Sequence, residues 1–132
     1  MVFPEYAEGL KDLEGFSHVF IIYIFHKSAT VKLRPKPYMD RERRGVFATR
    51  SPHRPNHIGM TLVRVLELRD DSMRIAGIDV VDGTPLIDIK PYVPAFDSAR
   101  DVSTGWMRQY LEGERAPESG ETRSREEWLH EP

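Results

Sequence analysis

The chain has 132 residues and a mass of 15.3 kDa, 39% hydrophobic and 30% charged, with 10 Pro and no Cys. That length is one domain's worth and supports a hydrophobic core without cross-links, and the lack of cysteine excludes disulfide and thiolate-zinc scaffolds. The longest apolar stretch, Val19 to Phe25, is far short of the ~20 residues that span a bilayer, and Glu5, Glu8, Asp12 and Glu14 stand where a secretory leader would be basic; a soluble cytoplasmic protein without membrane contact is expected.

The formal net charge is −2, but the charge is unevenly spread. Lys27 to Arg69 holds eleven basic and three acidic residues, a net +8, which leaves −10 for the remainder. A basic block in an acidic chain attracts a polyanion locally, or is a solvated arginine-rich loop.

In chain order, Pro4 to Gly15 reads as a short helix with Tyr6, Leu10 and Leu13 on one stripe and a terminal glycine. His18 to His26 is rich in Ile, Phe, Val and Tyr without alternation, which predicts a strand buried on both faces. Ala29 to Arg44, with Arg34-Pro35 and Lys36-Pro37, reads as a long, mobile basic loop. Val46 to Thr49 is expected as a short strand leading into the proline-rich turn Arg50 to Gly59. Met60 to Leu68 and Met73 to Val80 are expected strands joined by a turn at Asp70-Asp71-Ser72, and Asp82-Gly83 marks the next turn. Leu86 to Tyr92 alternates, with Ile87 and Ile89 on one face and Asp88, Lys90 and Tyr92 on the other. Trp106, Met107, Tyr110 and Leu111 fit a helix capped by Ser103 or Thr104. The domain is thus 1–111, followed by an acidic tail, 112–132, with a possible capping box at Ser124 and Glu127. Short strands joined by turns, with helices only at the edges, predict a mostly β fold, a small antiparallel β-barrel.

Several chemistries are absent. No two glycines lie within two positions, which removes the Gly-x-Gly loop of Rossmann sites, and neither a phosphate-binding Gly-Lys-Ser/Thr nor a Gly-x-Ser-x-Gly elbow occurs. His53 and His57 are four apart, but the prolines around them deny helical geometry, so no metal site is expected. Arg50 and Arg54, fixed around a proline turn, suit a bidentate grip on a carboxylate or phosphate, or are surface arginines. Asp79, Asp82, Asp88, Lys90 and Tyr92 gather within fourteen positions, either as a polar site or as a turn-forming Asp82 and an Asp88–Lys90 ion pair.

Four blocks, Leu13-Glu14-Gly15-Phe16-Ser17-His18, Phe25-His26-Lys27, Gly45 through Gly59 and Asp79 through Tyr92, occur in an order that resembles the TsaA/TrmO family of tRNA N6-threonylcarbamoyladenosine methyltransferases. The resemblance covers about Leu10 to Phe96 and implies a non-Rossmann β-barrel, a homodimer, and S-adenosylmethionine as methyl donor to N6 of threonylcarbamoyladenosine beside the tRNA anticodon. Carried over by motif, His26, Lys27, Arg50, Met60 and the turn Asp82, Gly83, Thr84 and Pro85 would hold the cofactor. Asp79, Asp88, Lys90 and Tyr92 would act on the acceptor adenine, with Ser51 and Asn56 shaping its entry. Arg41, Arg43, Arg44 and Arg54 would join Ser51 and Asn56 in binding the RNA. The family's preceding strand and its Pro-Arg-Gln segment have no counterpart in these residues, and its Pro-Asn-Pro-Ile-Gly appears as Pro55-Asn56-His57-Ile58-Gly59. The alternative reading is a non-catalytic barrel module that binds RNA or a nucleotide-like ligand through the same basic rim.

Overall fold

The computed structural model describes residues 1–111; the acidic tail and its Ser124–Glu127 pair lie outside the described residues. Among the described residues two compact units are present: Met1–Ile24 with Met60–Ser98, and Phe25–Gly59 with Ala99–Leu111.

The first unit is built on a four-stranded sheet of order β3-β2-β1-β4, with β1 His18–Ile24, β2 Ile58–Leu68, β3 Met73–Ala76 and β4 Leu86–Pro91. β1 and β4 run antiparallel with Phe20 opposite Lys90 and Ile22 opposite Asp88. β2 and β3 form a hairpin with a register shift between Val65 and Glu67. The Val65 amide donates to Ser17 at one end of β1 and the Tyr23 hydroxyl meets Thr61 Oγ1 at 2.9 Å near the other. β1 and β2 therefore also run in opposite directions.

The four strands all fall where strands were expected, but they do not close into the expected barrel. β3 and β4 lie at opposite edges of an open sheet and do not pair with each other. Two of the stretches expected to contribute strand do not. Val46–Ala48 is a 3-10 turn, and β3 stops at Ala76, where Gly77 takes φ +96°. What remains are edge strands of four and six residues, β4 ending on a proline that has no amide to donate. Closure requires the two edges to meet along a common length.

The core of this unit is Val19, Ile21, Tyr23, Val63 and Leu10. β1 alternates buried and half-buried side chains, so it is covered fully on one face only, contrary to the expectation of two buried faces. The Tyr23–Thr61 contact puts both on the covered face; Phe20, Ile22, Ile24, Met60 and Leu62 fall on the other, where Ile24, Met60 and Leu62 stay 36–47% exposed. On β4, Ile87 is not buried either. The amino-terminal helix is shorter than expected, a 3-10 segment Pro4–Leu10. The chain then turns through Asp12 at φ +69° and Gly15 at φ +92°. Pro94 opens an unexpected short helix, α1 Pro94–Asp97, whose start is held by Asp97 accepting from the Val93 amide.

The second unit contains the expected basic loop, which is an ordered, folded-back segment. The Arg44 amide donates to Pro35, Val46 to Leu33 and Lys32 to His53. Pro35 and Pro52 are fully buried beside Val46, Ser51 and His53. The carboxy-terminal part carries a 3-10 turn Gly105–Met107 and α2 Arg108–Leu111, with Thr104 at the cap but no side-chain capping bond. Among the described residues no helix is long and apolar enough to cross a membrane.

Candidate functional site

In the first unit the polar residues of β4 and its flanks share a face with aromatic rings. Lys90 Nζ lies 3.0 Å from Asp88 Oδ2, and the Ile89 amide donates to Asp88 Oδ1 at 2.8 Å. The Lys90 contact, against a smaller opposing effect of burial, holds the Asp88 carboxyl below its ordinary range. Tyr92 meets Phe20 edge-on at 5.7 Å and His18 at 6.5 Å, because these side chains lie on adjacent strands on the same side of the sheet. The unit thus offers an ionised carboxylate, a paired lysine and an aromatic corner along one strand. Asp79 and Asp82 are exposed in the β3–β4 connection. Thr84 closes the turn by donating from both its amide and its hydroxyl to Val81, and Gly83 takes φ +84°, a conformation L side chains rarely adopt. Pro85 ends the turn by accepting from the Ile24 amide. Met60 lies on the half-exposed apolar face.

The other candidates belong to the second unit. His26, Lys27 and Arg50 are exposed, and the next residue after Lys27, Ser28, is buried with no hydrogen-bond partner for its hydroxyl oxygen. Ser51 is 1% exposed, and its Oγ accepts from the His53 amide. Asn56 uses Oδ1 to accept from the Ile58 amide, which closes an Asx turn. His57 takes φ +53°, and its Nδ1 lies 2.9 Å from the Pro52 carbonyl. Arg54 donates to the Thr49 carbonyl at 2.6 Å and the Ser51 carbonyl at 3.5 Å, which fixes the guanidinium without cancelling its charge.

The basic segment is organised by an acid the sequence reading passed over. Asp40 is buried, and its Oδ1 accepts from the Tyr110 hydroxyl and the Arg41 amide, each at 2.7 Å, while Oδ2 accepts from Arg44 Nε at 2.7 Å. Burial pushes the carboxyl up. The bonds from Tyr110, Arg44 and the Glu42 and Arg41 amides outweigh it and bring the pKa down to about 2. Arg44 also reaches Glu42 at 3.2 Å and lies 5.3 Å over the Trp106 ring. Its charge is spent inside the fold, whereas Arg41 and Arg43 are exposed, Arg43 bonding the Arg34 carbonyl at 3.3 Å. The Asp40-x-x-x-Arg44 spacing is the sequence signal for this anchor; Tyr110, seventy positions on, has none.

Each unit by itself carries groups of the kinds that an amphoteric sulfonium amino acid joined to a nucleoside calls for: in the second, Lys27 and Arg50 are exposed cations of the type that pairs with a carboxylate, and in the first, Asp82 is an exposed carboxylate and Met60 a half-exposed apolar surface. The Ser28 hydroxyl, next in sequence to Lys27, is a buried polar group left without a hydrogen-bond partner.

The family model described as the tRNA-methyltransferase O N-terminal domain matches residues 1–98. A probable S-adenosyl-L-methionine-binding protein of Pyrococcus abyssi is 53% identical over 108 residues, 82% of this chain and 59% of its own length. The tRNA (adenine(37)-N6)-methyltransferase of Homo sapiens is 41% identical over 104 residues, 76% of this chain and 24% of that protein. The crystal structure of TrmO from Pseudomonas aeruginosa superposes with a TM-score of 0.64 at 39% identity, covering 78% of this chain and 44% of that one. The chain therefore spans from about a quarter to three-fifths of the length of these relatives.

Proposed function

Since the chain belongs to the tRNA-methyltransferase O N-terminal domain family, we propose that it is an S-adenosylmethionine-dependent methyltransferase acting on N6 of threonylcarbamoyladenosine beside the tRNA anticodon, in the cytoplasm. The observation that carries the reading is the Asp88–Lys90–Tyr92 face: an ionised carboxylate next to an aromatic corner, on a rigid strand. The bound cofactor supplies a methyl group made electrophilic by its sulfonium. His26, Lys27, Arg50, Met60 and Asp82 to Pro85 are the residues assigned to hold it.

The N6 lone pair of adenine is delocalised into the ring, so alignment and removal of the N6 proton decide the rate. Asp88 accepts a hydrogen bond from N6–H, and Asp79 is the second carboxylate assigned to this step. With its pKa held low, Asp88 is a weak base. It orients the nitrogen and stabilises the positive charge that develops there, and the proton passes on to solvent. Lys90 keeps Asp88 ionised and in place, and Tyr92 supports the base edge-on or by stacking. Asn56 and Ser51 act through the turn geometry they maintain, and Arg41, Arg43 and Arg54 contact RNA phosphates.

A homodimer is part of the same proposal. Ile24, Met60 and Leu62 keep an apolar sheet face half exposed, and a second copy of the chain covers it.

The test is calorimetric titration with S-adenosylmethionine followed by methyl transfer to tRNA. Wild-type chain binds stoichiometrically, Arg50→Ala loses binding, and Asp88→Ala binds the cofactor but loses transfer. Absence of cofactor binding by the wild type overturns the reading. Cofactor-free RNA binding would instead establish the non-catalytic module.

A further inference from the structure

Phe47 is 79% exposed, on a turn whose backbone is fixed by hydrogen bonds. Its neighbours Val46 and Thr49 are buried, at 1% and 7% exposure. The 3-10 turn that carries it is closed by Ala48 donating to Gly45, Thr49 donating to Val46 from amide and hydroxyl, and Trp106 Nε1 donating to Ala48 at 2.8 Å. Arg54 lies over one side of the Phe47 ring, its Cζ 5.9 Å from the ring centroid, locked there by the Thr49 and Ser51 carbonyls. The exposure leaves the opposite ring face to solvent. An exposed π-face with a cation beside it suits a flat, electron-rich partner next to an anion. The net charge of +8 between Lys27 and Arg69 favours a polyanion over an apolar protein surface.

We propose that Phe47, backed by Arg54, is a stacking platform for an unpaired nucleobase of the RNA, a loop nucleotide neighbouring the target adenosine, with Arg54 at the adjoining phosphate. Single-stranded RNA is recognised by such splayed bases on aromatic and guanidinium planes. The inference rests on the tRNA reading above and adds a binding residue that the family motifs do not assign.

The test is the affinity of a labelled anticodon stem-loop RNA, by fluorescence anisotropy, for wild type, Phe47→Leu and Phe47→Trp. Phe47→Leu keeps an apolar side chain without a π-face. It weakens binding about tenfold, leaves Tm and the slope of log Kd against log salt unchanged, and Phe47→Trp restores affinity. Wild-type affinity in Phe47→Leu overturns the platform while leaving the tRNA reading intact. A fall of several degrees in Tm in Phe47→Leu assigns the residue to structure and overturns it as well. No binding of the stem-loop by the wild type overturns both.

Discussion

Asp40 shows how a single carboxyl sets the form of a basic segment. Its pKa falls from 3.8 to about 2 on folding, so the folded state binds the proton less tightly than the unfolded chain. The stabilisation is fully present above pH 4 and is lost as pH falls through 4 toward 2; it is worth about 2 kcal/mol. Chemical denaturation of wild type between pH 5 and 2 should show this loss, and Asp40→Asn should be less stable at pH 7 and lose less across that window than wild type, the remaining slope coming from other lowered carboxyls such as Asp88. Equal pH slopes would remove the assignment. The same network separates the arginines by role. Arg44→Ala is expected to lower stability because Arg44 is bound to Asp40 and Glu42. Arg43→Ala is expected to leave stability alone and to reduce the salt slope of RNA binding by about 0.7 to 0.9, one phosphate contact. A salt slope in Arg43→Ala equal to wild type would take it out of the RNA contact set. His57 occupies φ +53° and donates its amide to Arg54, both of which proline forbids. His57→Pro, although it restores the family's usual residue, is expected to cost more than about 1 kcal/mol by urea denaturation. An unchanged midpoint would show that the turn adapts.

Among the elements, β1 and β4 carry unequal weight although both were expected from composition. Ile21 is 6% exposed on the central strand, opposite Ile89, while Ile87 on the edge strand is 47% exposed. Ile21→Ala should cost about 2–5 kcal/mol and Ile87→Ala well under half of that. Comparable losses would mean that β4 is covered in solution. The alternation in Leu86 to Tyr92 correctly placed Asp88 and Lys90 on one face, because period 2 is a property of the extended backbone. It did not show that the apolar face of an edge strand stays open, because cover is supplied by other elements. The Phe25–Gly59 segment was harder to read for a different reason. Its interior sets only Phe25 and Val46 among buried prolines, serines, threonine, histidine and aspartate, and two apolar positions so far apart make no hydrophobic period to detect.

At the scale of the molecule, the proposed dimer predicts that Leu62→Lys shifts the sedimentation coefficient of the chain from dimer to monomer without unfolding it, since Leu62 is 41% exposed. A wild-type chain that sediments as a monomer would set the dimer aside without touching cofactor binding. The sequence by itself determined the family, through four ordered motifs, and the mostly β character with its turn positions. β-branched runs, Asp-Gly turns and prolines act on the nearest few residues, so they leave a local record. Tertiary structure alone decided that the sheet stays open, that Val46–Ala48 is a turn and that Asp40, besides its near neighbour Arg44, is bound by Tyr110. These depend on which edges pair and which polar groups meet across tens of residues. Such pairings are settled by packing and desolvation in three dimensions, which local pattern does not encode.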